Sequence, residues 1–259
     1  MRAAVVGLPV RHSLSPVLHR AAYAALGLDW TYTAIELAQD GLASFLEDLG
    51  PDWAGLSLTM PLKTAVIPLL DELSDLARAV GSVNTVLLGA GPRRGDNTDV
   101  AGIVAALREA GVERVAAGVV LGGGATGRSA LAALGQLGER HPRLASRSAP
   151  AEALAAADRL GLRPQLVPLD QAAFDGADVV ISTLPAFVAD PLAAAAGAVP
   201  VLLDVVYRPW PTALARACGG RVIGGAQMLL HQAAAQVTLM TGRPAPLDAM
   251  RAVLKASPG

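Results

Sequence analysis

Val119-Val120-Leu121-Gly122-Gly123-Gly124-Ala125-Thr126-Gly127 is the stretch that decides the fold. A short β-branched run ends in three glycines, and an alanine- and leucine-rich stretch with helical character follows. Gly122, Gly124 and Gly127 make the pattern G-x-G-x-x-G between a strand and a helix. In that setting the first glycine permits a tight turn, and the second lets a pyrophosphate approach the backbone. The third lets the helix pack closely on the strand. The helix amino terminus adds unpaired N–H groups and the positive end of its dipole. A glycine-rich turn that binds nothing would carry the same letters. The strand before and the helix after favour a dinucleotide site made by Gly122, Gly123, Gly124, Ala125, Thr126 and Gly127.

The end of the next strand selects the nucleotide. An NAD site places Asp or Glu about 20 residues on, to hold the ribose 2′-hydroxyl. Here the segment reads Ala145-Ser146-Arg147-Ser148, with no carboxylate. A guanidinium pairs bidentately with phosphate oxygens, so Arg147 with Ser146 and Ser148 suits the 2′-phosphate of NADP.

Outward from this motif, short β-type runs alternate with amphipathic stretches, the pattern of an α/β protein with largely parallel sheets. Strands are expected at 2–8, 30–37, 53–59 and 83–89. Helices are expected at 41–49, 62–73, 74–80 and 98–111. Another helix should open at Ser15-Pro16, with Ser15 as N-cap, and stop at Gly27. A second series runs from a strand at 115–121 to one at 221–223, and helices 226–241 and 246–256 close the chain. This divides the chain into domains at 1–100 and 101–225, with 226–259 expected to rejoin the first.

Composition narrows the function classes. Net charge is −1 over 259 residues without charge blocks, which leaves no electrostatic footprint for nucleic acid or a membrane surface. The longest apolar run, Asp190 to Asp204, is interrupted by Pro200 and shorter than the roughly 20 residues of a membrane span. It reads as a small helix and a buried strand. No signal peptide is expected at the amino terminus. Cys218 is the one cysteine, and the four histidines have no metal-ligand spacing, so neither disulfides nor a catalytic metal are expected. A cytoplasmic small-molecule enzyme fits this composition; a monomer or homodimer is expected, and composition does not decide between them. Of the 21 basic residues only Lys63 and Lys255 are lysine. Where a surface cation suffices, this chain uses arginine.

Four polar segments stand out in the first series. They are Ser13-Leu14-Ser15-Pro16, Thr59-Met60-Pro61-Leu62-Lys63, Val83-Asn84-Thr85 and Asp96-Asn97-Thr98-Asp99. Downstream come Asp204-Val205-Val206-Tyr207 and a terminal helix bearing Gln232. With the glycine loop these segments, in this order, resemble the shikimate dehydrogenase family over nearly the whole chain. The resemblance implies an N-terminal substrate domain with a mixed sheet, a Rossmann-type NADP-binding domain, and a cleft between them. It implies reversible reduction of 3-dehydroshikimate to shikimate by NADPH, a step of chorismate and aromatic amino-acid biosynthesis. Ser13 and Ser15 would hold the substrate carboxylate, assisted by Tyr207. Thr59, Asn84 and Gln232 would bind ring hydroxyls, and Lys63 and Asp99 would flank the hydroxyl that is oxidised. Gly225 is counted among the cofactor-binding residues.

The residue chemistry suits such a substrate independently. A polyhydroxy carboxylate needs hydroxyls and amides that both donate and accept. Hydride transfer to a carbonyl leaves an oxygen that must gain a proton, and Lys and Asp both serve as positioned acids. An arginine at position 63 would keep a charge but not readily release a proton. Two departures from the family pattern are Ser57, where asparagine is usual, and the Gly-Gly-Gly-Ala-Thr loop in place of G-A-G-G-A. A catabolic quinate/shikimate dehydrogenase using NAD is the alternative enzyme. A non-catalytic dinucleotide sensor is the alternative of another class.

Overall fold

In Arg2–Gly7 every residue after Arg2 is buried, as expected of a strand covered on both faces. A computed structural model describes residues 1–147 and 150–256. The chain divides into two compact units, Met1–Thr98 together with the chain from Leu230 on, and Asp99–Leu229.

The first unit carries β1 (Arg2–Gly7), α1 (Ser15–Ala25), β2 (Thr31–Glu36), α2 (Leu42–Glu47) and β3 (Trp53–Leu58). It continues with α3 (Leu62–Ala65), β4 (Glu72–Leu73), α4 (Asp75–Val80), β5 (Thr85–Leu87) and β6 (Arg94–Asp96). The sheet order is β2-β1-β3-β5-β6-β4. β2, β1 and β3 run parallel, β5 runs against both β3 and β6, and β4 follows β6. This mixed sheet therefore brings the carboxyl ends of β1, β3 and β6 and the amino end of β5 to one edge. One core cluster joins Val6, Trp53 and Leu56 of the sheet to Leu42, Leu46, Leu62 and Val66.

Three local expectations change. The expected helix 62–73 is instead α3, a 3-10 turn at Ile67–Leu69 and β4. Pro68 lacks the N–H a helix needs and disfavours helical geometry in Ile67. Between the expected strand 83–89 and the expected helix 98–111 the chain forms one more strand, β6, because Arg94–Asp96 pair with β5. Ser15 is not an N-cap. Leu14 holds that position, and the Ser15 amide donates to Ser13 Oγ at 3.2 Å.

The second unit carries α5 (Asp99–Glu109), β7 (Gly118–Leu121), α6 (Ala125–Gln136), β8 (Arg143–Ala145) and α7 (Ala151–Arg159). Then come β9 (Gln165–Val167), β10 (Val179–Ser182), β11 (Val201–Asp204), α8 (Ala213–Ala217) and β12 (Arg221–Gly224). All six strands are parallel, in the order β12-β11-β10-β7-β8-β9. Winding reverses between β7 and β10, the place where doubly wound sheets bind ligands. As expected, the apolar run from Asp190 holds a 3-10 segment, Asp190–Ala198, and then β11. α9 (Gly225–Thr241) runs from this unit into the first, and α10 (Leu247–Ala256) packs on α1. Among the described residues no helix is long and apolar enough to cross a membrane.

His19 on α1 is fully buried and stacks on Tyr32 with ring centroids 4.0 Å apart. Its Nδ1 lies 2.9 Å from the Ser15 carbonyl, so Nδ1 carries the proton. Nε2 has no hydrogen-bond partner among the described residues. Charging the ring would bury a second N–H without an acceptor. Burial accordingly pulls the His19 pKa from 6.5 down to about 4, against the opposing pull of the Ser15 carbonyl. Between those values the unfolded chain binds the proton that the folded chain refuses, so stability rises with pH across this window. Acidification from pH 7 to below 4 should cost up to about 3 kcal/mol through this group. Urea unfolding at pH 7 and pH 4.5 checks this: the drop should be smaller in His19→Phe than in the wild type, and an equal drop would contradict it.

Candidate functional site

In the second unit the glycine loop is built by close approach. Leu121 ends β7, and Thr183, which follows β10, donates its amide (2.9 Å) and hydroxyl (2.8 Å) to the Leu121 carbonyl. Gly122 turns away at φ +100°, a conformation side chains resist. A Cβ on Gly127 would fall on the Gly122 carbonyl oxygen, so α6 can seat against β7 only without one. Around Gly124, by contrast, a Cβ would meet nothing within 4 Å. Gly124 is the N-cap of α6, and as a glycine it puts no side chain on the first-turn amides. An open, uncapped helix amino terminus behind a tight turn is the cradle a pyrophosphate requires, so the residues present fit a dinucleotide.

Around this cradle, Ser146 is half-buried and Arg147 exposed at the end of β8. Ser148 lies outside the described residues. Arg128, in the first turns of α6, is 3% exposed and donates to Glu152 of α7 at 2.7 Å. Burial lowers its pKa, opposed by Glu152. The pair ties the helix behind the phosphate cradle to the helix that follows the Arg147 loop. Asp204 is buried, accepts from the Val206 amide at 3.1 Å and from Thr212 Oγ1 at 2.7 Å, and so fixes the start of the segment bearing Tyr207. Burial raises the Asp204 pKa, partly offset by those two donors. Gly225 lies against the backbone of Val205 and Val206, where its amide donates to the Val206 carbonyl.

In the first unit the polar segments gather on the one sheet edge. Ser13 and Ser15 follow β1, Thr59 and Lys63 follow β3, Asn84 precedes β5, and Asn97 and Thr98 follow β6. The backbone links them. The Thr59 amide donates to the Val6 carbonyl at 3.0 Å, and that of Val83 to the Lys63 carbonyl at 2.8 Å. Lys63 is half-buried on α3.

Asn84, 1% exposed, is the hub. Its Oδ1 accepts from the Thr98 amide (2.8 Å) and from Thr85 Oγ1 (2.8 Å). Its Nδ2 donates to Thr98 Oγ1 (2.9 Å) and to Gln232 Oε1 (3.1 Å). These partners settle which end of the amide is which. Gln236, one turn along α9 from Gln232, donates to the Asn84 carbonyl and to Thr85 Oγ1, each at 3.0 Å. Its Oε1 accepts from Ser57 Oγ at 2.8 Å, and Ser57 in turn accepts from the Tyr32 hydroxyl at 2.6 Å. Asp99 is buried at the first position of α5, directly after Thr98 in the chain.

Comparison with known proteins bears on both units. The family model for the shikimate dehydrogenase substrate binding domain matches residues 5–86, and that for the shikimate 5′-dehydrogenase C-terminal domain matches residues 225–255. Shikimate dehydrogenase (NADP(+)) of Halobacterium salinarum is 38% identical, over 97% of this chain and 97% of its own length. The corresponding protein of Citrifermentans bemidjiense is 37% identical over 98% of this chain and 94% of its own. The chain belongs to the shikimate dehydrogenase family. Among solved structures, shikimate dehydrogenase of Mycobacterium tuberculosis superposes with a TM-score of 0.89 at 43% identity, covering 98% of each chain. Shikimate 5-dehydrogenase of Thermus thermophilus, solved in complex with NADP(H) and shikimate, gives 0.85 at 34%, covering 99% of each.

Ser57, a departure from the resembled pattern, has a definite place in the structure. Its hydroxyl accepts from the Tyr32 phenol and donates to Gln236, passing one hydrogen bond along. Sequence reasoning missed Gln236, Thr85 and Thr98 as members of this network. The available signal was Gln232 and Gln236 at i and i+4 on α9, with only alanines between them, which puts both on one face. Gln236→Leu would leave a buried carbonyl and two buried hydroxyls short of partners. It should lower unfolding stability by about 2–4 kcal/mol in urea titration, whereas Tyr32→Phe should lower it by about 1 kcal/mol. A loss below about 0.5 kcal/mol in Gln236→Leu would contradict the network's weight.

Proposed function

We propose that this chain is an NADP-dependent shikimate dehydrogenase that reduces 3-dehydroshikimate to shikimate reversibly, as a step of chorismate biosynthesis. The observation that carries this reading is the convergence of the Ser13, Thr59, Lys63, Asn84 and Gln232 segments on one edge of the first sheet. Such a set of hydroxyl, amide and ammonium groups has the chemistry of a polyhydroxy carboxylate site. Relatives named shikimate dehydrogenase (NADP(+)) match nearly the full length.

Ser13 and Ser15 hold the substrate carboxylate, with Tyr207 assisting. Their support is the turn after β1, where Ser13 Oγ already orders the first amide of α1. Thr59, Asn84 and Gln232 meet the ring hydroxyls. The amide of Asn84 is oriented by Thr98 and Thr85 with its donor side toward Gln232, and a ring hydroxyl takes the place of the Asn84–Gln232 bond. Bound NADPH supplies the hydride. Lys63 and Asp99 handle the proton at the reduced oxygen and act as a pair rather than as separable acids. In the second unit Gly122, Gly123, Gly124, Ala125, Thr126, Gly127 and Gly225 receive the dinucleotide. Ser146, Arg147 and Ser148 meet its 2′-phosphate. The enzyme works in the cytoplasm as a monomer or homodimer. The single cysteine, which leaves no internal disulfide, supports the reducing compartment.

Steady-state kinetics on two variants test the assignment. Lys63→Ala should lower kcat by about 10²–10⁴ with unchanged thermal unfolding. Arg147→Ala should raise the KM for NADPH by about 10–100-fold and leave that for NADH unmoved. An undiminished kcat in the first variant would remove Lys63 from the chemistry, and equal shifts for both cofactors in the second would remove Arg147 from the 2′-phosphate.

A further inference from the structure

Phe187 is the one non-glycine with positive φ among the described residues, at +70°. It occupies the third place of a four-residue turn, Pro185-Ala186-Phe187-Val188, closed by the Val188 amide on the Pro185 carbonyl at 3.1 Å. Turns with positive φ at that place take glycine or asparagine, because a Cβ strains it. The same residue is 70% exposed, the most exposed large hydrophobic side chain described. Its neighbours do the opposite. Leu184 and Ala189 are buried in the core of this unit, and Val188 packs against it. The loop is thus pinned on both sides while an aromatic ring is held outward in a strained conformation. Neither hydrophobic burial nor turn propensity selects phenylalanine here. Strain retained without a packing benefit marks a functional position.

The topology says what lies above it. The loop leaves the carboxyl end of β10, beside β7, at the reversal of winding. Leu184 and Thr183 lie against Gly122, so the loop adjoins the glycine turn. On the other flank of β7, β8 ends at Ser146 and Arg147, the 2′-phosphate side. With the adenosine half over β8, the nicotinamide half extends over β10. We propose that Phe187 is the platform against which the nicotinamide nucleoside half of the dinucleotide rests, with the positive φ serving to aim the ring at it. This rests on the dinucleotide reading of the second unit.

Calorimetric titration of the wild type, Phe187→Gly and Phe187→Tyr separates the two readings. The ligands are NADPH and 2′,5′-ADP, which keeps the adenosine and the 2′-phosphate but has no nicotinamide. Thermal unfolding is measured without ligand. Phe187→Gly should weaken NADPH by about tenfold and leave 2′,5′-ADP unchanged. Its unfolding temperature should match or exceed the wild type's, since glycine accepts the positive φ. Phe187→Tyr should retain NADPH affinity. Unchanged NADPH affinity in Phe187→Gly would overturn the proposal. So would equal losses for both ligands with a lowered unfolding temperature, which would make the residue merely structural. A wild type that binds 2′,5′-ADP and NADPH not at all differently from buffer would overturn the dinucleotide reading, and this proposal with it.

Discussion

A single buried amide organises the first unit. Asn84 sits where β5 begins, and its side chain and carbonyl together reach the strand before it in the sheet, the segment after β6 and the helix α9. A polar group taken out of water must be satisfied or it costs stability, and here both ends of the amide are satisfied by partners from different elements. Because those partners are far apart in sequence, the network also determines where α9 can lie relative to the sheet. The residues proposed to read substrate hydroxyls are therefore held by the same bonds that hold the unit together. Preorganisation of this kind keeps reacting groups in place before the substrate arrives.

The second unit depends on contact rather than on hydrogen bonding. α6 approaches β7 so closely that Gly127 leaves no room for a side chain against Gly122, while Thr183 closes the turn from the neighbouring strand. That approach puts the amino terminus of α6, unobstructed at Gly124, at the point where the winding of the sheet reverses. Arg128 and Glu152 then couple this helix to the next.

Much of this was legible in the sequence, for identifiable reasons. The doubly wound sheet could be read because β7, the glycine loop and α6 are contiguous and each carries its own signal. The segments around Ser13, Thr59 and Asn84 could be placed at strand ends because the strands they adjoin carry their own β-type runs. What depended on distant pairing could not be read. β6 exists only because β5 runs beside it, and three residues carry no periodicity of their own. The break in the expected helix 62–73 was signalled by Pro68, and the apolar pattern around it hid that signal. Gln236 and Tyr32 looked like ordinary helix and strand residues, and only the fold brings them to Ser57, 179 and 25 residues away along the chain.

The central claim is that these two units together reduce 3-dehydroshikimate with NADPH. Following absorbance at 340 nm with purified protein tests it most directly, with NADPH and NADH in parallel and shikimate and quinate as substrates for the reverse reaction. The account predicts NADPH oxidation on adding 3-dehydroshikimate, formation of shikimate in equal amount, and a clear preference for NADPH over NADH and shikimate over quinate. Protein that binds NADPH yet leaves the absorbance unchanged when 3-dehydroshikimate is added would contradict it.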